Sequence, residues 1–151
     1  FNSDNAVSNE NFYQEWVPSG TLGYTLNLST NRILQFQYDG DFRGTNTDEK
    51  GLHPTGWEDR TDQSFSIIHS WIIGQNWVVQ PSYRIMWSKY TNPGRNRADV
   101  YNTVSLMVAY YFNDWASARA FTSYEFRQST EFGNDYQNWN LGAGFSINVN
   151  F

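Results

Sequence analysis

The sequence predicts an all-β protein, an antiparallel up-and-down β-barrel, and three observations predict it. The last thirteen residues alternate without a break: Trp139, Leu141, Ala143, Phe145, Ile147, Val149 and Phe151 fall on one face of an extended strand, and Asn140, Gly142, Gly144, Ser146, Asn148 and Asn150 on the other. Five earlier segments carry the same two-residue period, and a sixth is an apolar run of strand length. The connections between segments alternate short and long, which places all turns at one end of a meander and all loops at the other.

In chain order, the first clear strand sets Leu22, Tyr24, Leu26 and Leu28 against Thr25 and Asn27. The second sets Leu34, Phe36, Tyr38 and Phe42 against Gln35, Gln37, Asp39, Asp41 and Arg43. Phe65 to Ile73 is apolar on both faces, at Ile67, Ile68, Ile72 and Ile73, and its register is open. Trp77 to Trp87 opposes Val79, Tyr83 and Ile85 to Gln80, Ser82, Arg84 and Met86, with Pro81 marking a bulge or a break because it has no donor. Thr103 to Phe112 places Val104, Leu106, Val108, Tyr110 and Phe112 on one side. Trp115 to Arg127 places Ala116, Ala118, Ala120, Thr122, Tyr124 and Phe126 opposite Ser117, Arg119, Ser123, Glu125 and Arg127. With the C-terminal strand this makes seven.

Thr30-Asn31, Gly74-Gln75-Asn76 and Asn113-Asp114 have the residue types that accept tight turns. Residues from about Thr45 to Asp62, Thr91 to Asp99 and Ser129 to Tyr136 read as long polar loops.

The C-terminal strand, apolar at every second residue and ending on an aromatic, resembles the last strand of the bacterial outer-membrane β-barrel proteins, the porin-like class. The resemblance implies a transmembrane barrel in the outer membrane of a Gram-negative bacterium. It implies Phe151 as the signal read by the barrel-assembly machinery, and membrane lipid and lipopolysaccharide as surroundings. Short turns would then be periplasmic and long loops extracellular. The rings agree: Trp77, Trp87, Phe112, Tyr124, Phe126 and Trp139 sit near strand ends on the apolar face, while strand middles are aliphatic, as two membrane–water boundaries select. A soluble up-and-down barrel with its apolar face turned inward around a ligand explains the alternation but not the two girdles.

Composition fits the class. A mean hydropathy of -0.66 alongside 19% aromatic residues suits a chain in which only every second strand residue meets lipid. No apolar run approaches the ~20 residues of a membrane-spanning helix. There is no cysteine, hence no disulfide or thiolate metal site, and the net charge of -5 argues against nucleic-acid binding. No basic, apolar leader opens the chain, so Phe1 reads as a mature terminus or an internal cut. Seven strands are odd for a bacterial barrel, which normally has an even count. The expected organisation is therefore the C-terminal part of a larger barrel, with 1–20 as the tail of an extracellular loop or a short extra strand from Asn11 to Val17, and 21–151 as barrel strands. A self-contained eight-stranded barrel is the alternative.

Catalysis is not expected. His69 and Ser70 are adjacent and so point to opposite faces of a strand, and His53 reads as a solvated loop residue. No cofactor or metal is expected either, since Asp39-Gly40-Asp41 lacks the other ligands of a calcium loop. The charges Asp39, Asp41, Arg43, Arg84, Arg119, Glu125 and Arg127 all fall on the polar face. They line a wet lumen whose field biases the passage of small polar solutes, or they fill a narrow barrel with salt bridges. Arg95 and Arg97 are placed where they could meet lipopolysaccharide phosphates. The functional expectation is a porin-like channel or the pore of a transport system, as a homo-oligomer or part of a larger envelope complex. The rival is a non-conducting structural or adhesive barrel that anchors a partner through its loops.

Overall fold

The protein is described here by a computed structural model covering residues 15–45, 59–91 and 96–147. It is all-β. The strands are β1 (Glu15–Trp16), β2 (Ser19–Ser29), β3 (Arg32–Thr45), β4 (Arg60–Ile73), β5 (Trp77–Tyr90), β6 (Ala98–Asn113), β7 (Ala116–Ser129) and β8 (Tyr136–Ile147). From β2 to β8 each strand pairs antiparallel with its sequence neighbour, giving one up-and-down sheet of seven strand positions. Among the described residues no helix is long and apolar enough to cross a membrane.

Local chemistry sets the hairpins. Gly74 opens its turn at φ +63°, a conformation that costs a residue without Cβ nothing. Asn113 caps the last tight turn by accepting from the backbone N–H of Trp115 at 3.1 Å and of Ala116 at 2.8 Å, beside a register shift between Tyr111 and Asn113. Asn31 and Asn76 reach past their own hairpins. Each exchanges bonds with the following strand, Asn31 with Ile72 and Asn76 with Tyr111, and so ties successive hairpins together at the turn end.

The strands are longer than the alternation alone indicates, and three loops are correspondingly shorter. β4 begins at Arg60, β6 at Ala98, β7 runs to Ser129 and β8 starts at Tyr136. These strand ends are charged and polar, so they resemble loop in the sequence, yet they pair across the sheet. At the N-terminal end, Ser19 and Gly20 already belong to β2. Glu15 and Trp16 lie against Thr45 and Gly44 of β3, on the same edge that β2 occupies, so they prolong the first strand position instead of adding another. Pro18 permits this because its carbonyl accepts from Phe42 N–H at 3.1 Å, although it has no donor of its own. Pro81 makes a break and no bulge. The β4–β5 ladder lapses between Ile68↔Ser82 and Trp71↔Val79, and the register is the same on both sides.

The open register of β4 resolves with Phe65, Ile67, His69, Trp71 and Ile73 on the apolar face and Ile68 and Ile72 on the polar one. Among the described residues the sheet does not close into the barrel expected from the alternation: β2 and β8 are its two edges. In an antiparallel meander of seven positions these edge strands run parallel to each other, so they do not form the antiparallel seam that would complete the pattern.

Burial is inverted relative to an ordinary sheet. The apolar face leaves Leu22, Tyr24, Trp77, Val104, Trp139 (71% exposed) and Leu141 (85% exposed) uncovered. The polar face buries Ser64 (2% exposed), Ser88 (1%) and Asp99 (1%). Small side chains lose solvent in this way on the inner side of a curled sheet, where neighbours crowd together, while those on the outer side splay apart.

Candidate functional site: the polar face

Pairing register arranges the polar face in rows that cross the sheet. One row runs Thr21, Asp39, Ser64, Met86, Tyr101, Arg127 and Tyr136. At its β2–β4 end Asp39 is fully engaged: Thr21 Oγ1 donates to Oδ1 at 2.8 Å, Gln37 Nε2 donates to both oxygens at 2.8 and 3.1 Å, and Ser64 Oγ donates to Oδ2 at 3.2 Å. Arg84 then donates from Nη2 to the same Ser64 hydroxyl at 3.1 Å. Asp39 and Arg84, expected to face a lumen, thus meet through a serine.

Two rows further out form a collar at the long-loop end. Asp41, Asp62, Ser88, Asp99 and Ser129 follow one another in register, and beyond them stand Arg43, Arg60, Tyr90 and Arg97. On β3, on β4 and at the start of β6 an arginine lies two residues from an aspartate on the same face. Arg60 Nε donates to Asp62 Oδ2 at 2.8 Å. Arg97 grips Asp99 with Nε at 2.9 Å and Nη2 at 2.6 Å, and reaches Glu131 at 3.4 Å. The Tyr90 ring lies between two of these guanidiniums, Arg97 at 4.7 Å and Arg60 at 6.0 Å from its centroid.

At the β6–β8 end of the Asp39 row, Arg127 stacks on Tyr136 at 4.6 Å and Tyr101 at 5.7 Å, and its Nε donates to the Asn134 carbonyl at 2.6 Å. Tyr136 donates its hydroxyl to Glu125, which also accepts from Thr103 Oγ1 at 3.4 Å. Arg97 directly precedes β6 and Asp99 is its second residue, both at the long-loop end of the sheet. Burial by itself would raise the Asp99 carboxyl. Hydrogen bonds from Arg97 and Ser129, with the charges of Arg97 and Arg127, outweigh that and hold it below the usual carboxylate range. The Arg97 guanidinium is pushed up in return, chiefly by its bonds to Asp99.

All seven charges singled out in the sequence share this face, but they do not form one cluster. Asp39 and Arg84 meet near the middle, Asp41 and Arg43 belong to the collar, and Glu125 and Arg127 join Tyr136. Arg119 stands apart toward the turn end, exposed, its chain lying along Gly144 of β8. Arg97 does not reach outward as expected. It is buried and bound to Asp99, because a fork with two carboxylate oxygens in reach outcompetes solvent. Arg95 and His53 lie outside the described residues, as does Phe151. On the opposite face Trp77, Phe112, Tyr124, Phe126 and Trp139 fall in two groups, and Trp87 stands exposed near the loop end of β5. Trp77, Tyr110, Phe112 and Phe145 form a chain of rings 4.7 to 6.0 Å apart near the turns, and Tyr124 meets Phe126 at 6.0 Å and Trp139 at 4.8 Å nearer the loops.

Sequence reasoning missed Arg60, Asp62, Tyr90 and Asp99. The available signal was the repeated arginine–aspartate pair at spacing two, which reads as loop composition until the strands are aligned. Among the described residues no group of three or more His, Cys, Asp or Glu side chains forms a metal centre. No protein-family model matches the chain, and neither a curated protein nor a solved structure does.

Proposed function

We infer that this chain forms the wall of an outer-membrane β-barrel and serves as a porin-like channel, or the pore of a transport system, for small polar solutes. The observation that carries the reading is the inverted burial: an apolar face left open across the sheet, over a polar face whose serines and aspartates are enclosed. Soluble monomers rarely expose contiguous apolar surface beyond a few hundred Å². Lipid covers such a face without a partner protein, and the two groups of rings suit the two boundaries of the hydrocarbon. The soluble barrel with an apolar interior would need the opposite curl. Strands of 11 to 16 residues are long enough to cross at a tilt and carry the collar beyond the bilayer.

Planar-bilayer recording tests the channel. At low ionic strength, where screening is weak, Arg84→Glu together with Arg119→Glu shifts permeability toward cations and leaves the barrel folded. The reading fails if the chain partitions away from the outer-membrane fraction, or if folded wild-type protein never conducts. The second outcome favours the non-conducting anchor, a reading that the dense pairing of the collar supports because paired charges rigidify a rim.

A further inference from the structure

On β7, Arg119, Phe121 and Ser123 are successive residues of the polar face, and their partners on β8 are Gly144, Gly142 and Asn140. The two glycines have no side chain to hold their neighbours upright. An added Cβ at Gly142 would run into Cε1 and Cζ of Phe121, and one at Gly144 would lie 3.4 Å from Nε and 3.7 Å from Cγ of Arg119. Ring and guanidinium stem therefore lie down along the backbone of β8. That backbone covers one side of each and leaves the other open. Phe121 is 45% exposed and Arg119 is exposed, on a face where Ser64 and Ser88 are buried. β7 has paired strands on both sides, so the opening at Phe121 is not that of a sheet edge. Arg60, Arg84, Arg97 and Arg127 each bond to other residues of the wall. Arg119 has no hydrogen bond or ion pair among the described residues. Beyond the ring, Asn140 reaches Ser123 only by a long bond of 3.5 Å, so amide and hydroxyl keep donors for a ligand.

We propose that Arg119, Phe121, Ser123 and Asn140 bind a sugar acid, a hydroxylated ring that carries a carboxylate. The four groups match such a ligand part by part. A guanidinium free of protein partners takes a carboxylate in a two-point fork. The open side of the Phe121 ring receives the C–H face of the sugar, apolar surface on apolar surface. Ser123 and Asn140 supply a hydroxyl and an amide, which both donate to and accept from ring hydroxyls. Alternate residues on a strand lie ~6.5 Å apart, which puts charge, ring and hydroxyl in the order in which they occur along one such molecule. A simple anion has no use for the ring, and a neutral sugar has none for the charge. In the channel proposed above, on which this role rests, the site is a waypoint toward the turn end of the lumen. Donors, acceptors and charge along the path set what passes, and a conducted solute is held weakly enough to leave.

Isothermal titration of the folded full-length chain in detergent at low ionic strength, with glucuronate, glucose, benzoate and acetate in turn, tests the site whether or not the barrel conducts. Weak saturable binding of glucuronate is expected, at least about tenfold tighter than that of glucose or acetate and tighter than that of benzoate. Arg119→Gln lowers glucuronate affinity at least about tenfold, the loss of one charged fork, and leaves glucose unchanged. Phe121→Leu weakens both sugars. Arg32→Gln, which removes a cation from the apolar face at the same end of the sheet, binds as wild type. Arg119 is exposed, so its variant decides the matter should Phe121→Leu fail to fold. The proposal is overturned by the absence of saturable glucuronate binding, by Arg119→Gln binding it as wild type does, or by glucose, acetate or benzoate binding as tightly. Bilayer recording keeps the two readings apart. A wild-type pore that conducts while glucuronate neither binds nor reduces its current removes the sugar site and leaves the channel. Glucuronate bound to a barrel that never conducts does the reverse.

Discussion

Asp99 shows how one residue holds the collar. With 1% of its surface exposed, it could not stay ionised without the Arg97 fork at 2.6 and 2.9 Å. Replacing it by alanine strands a buried guanidinium, so Asp99→Ala is expected to destabilise by about 3 to 5 kcal/mol. The sign of the pH dependence follows from the lowered carboxyl: its contribution is present above the unfolded value of ~3.9 and is lost as pH falls through the folded value. Unfolding titrations should therefore show wild type and Asp99→Asn converging only at strongly acidic pH. A gap that stays constant down to that range would assign the stabilisation to packing.

A second residue-scale test lies at Gly142, where an added Cβ would run into the Phe121 ring from the adjacent strand. The ring covers the bare backbone of the glycine, a pairing used where a strand must bend. Gly142→Ala is expected to cost about 1 to 3 kcal/mol, and Phe121→Ala in the same chain should remove most of that penalty. Additive losses in a double-mutant cycle would mean that the two residues act separately.

At the scale of the strand, the two faces make opposite demands. Leu106 and Leu141 lie on the apolar face in one row with Pro81 and Thr122, whereas Asn140 lies on the polar face opposite Ser123. In a bilayer folding titration Leu106→Arg or Leu141→Arg should cost about 2 to 4 kcal/mol, and Asn140→Arg less. Equal costs would contradict the assignment of lipid to the apolar side. The strand scale is also where the sequence was most legible. Alternation located all seven strand positions because a two-residue period has only two phases, and each strand with an apolar side declares its own. β4 was the exception, since isoleucines on both sides erase the contrast, and only hydrogen bonding to β3 and β5 assigns Phe65 and Ile67 to the apolar face. Strand ends were illegible for the converse reason. Arg60, Asp62, Arg97 and Asp99 are polar on a polar face, so composition could not separate them from loop.

For the whole molecule, the sequence by itself determined the class of structure, the order of the strands and the face to which most charges belong. All of these depend on residue type at a fixed spacing along one chain, which local backbone geometry converts directly into sidedness. The tertiary structure alone decided which charges meet. Asp41 faces Asp62 across a gap of 20 unrelated residues, and Arg84 reaches Asp39 through Ser64, because register between strands sets those encounters. It also decided that the polar face encloses its serines and aspartates and that, among the described residues, β2 and β8 are the edges of the sheet, properties of the summed twist and pairing of seven strands that no single strand encodes.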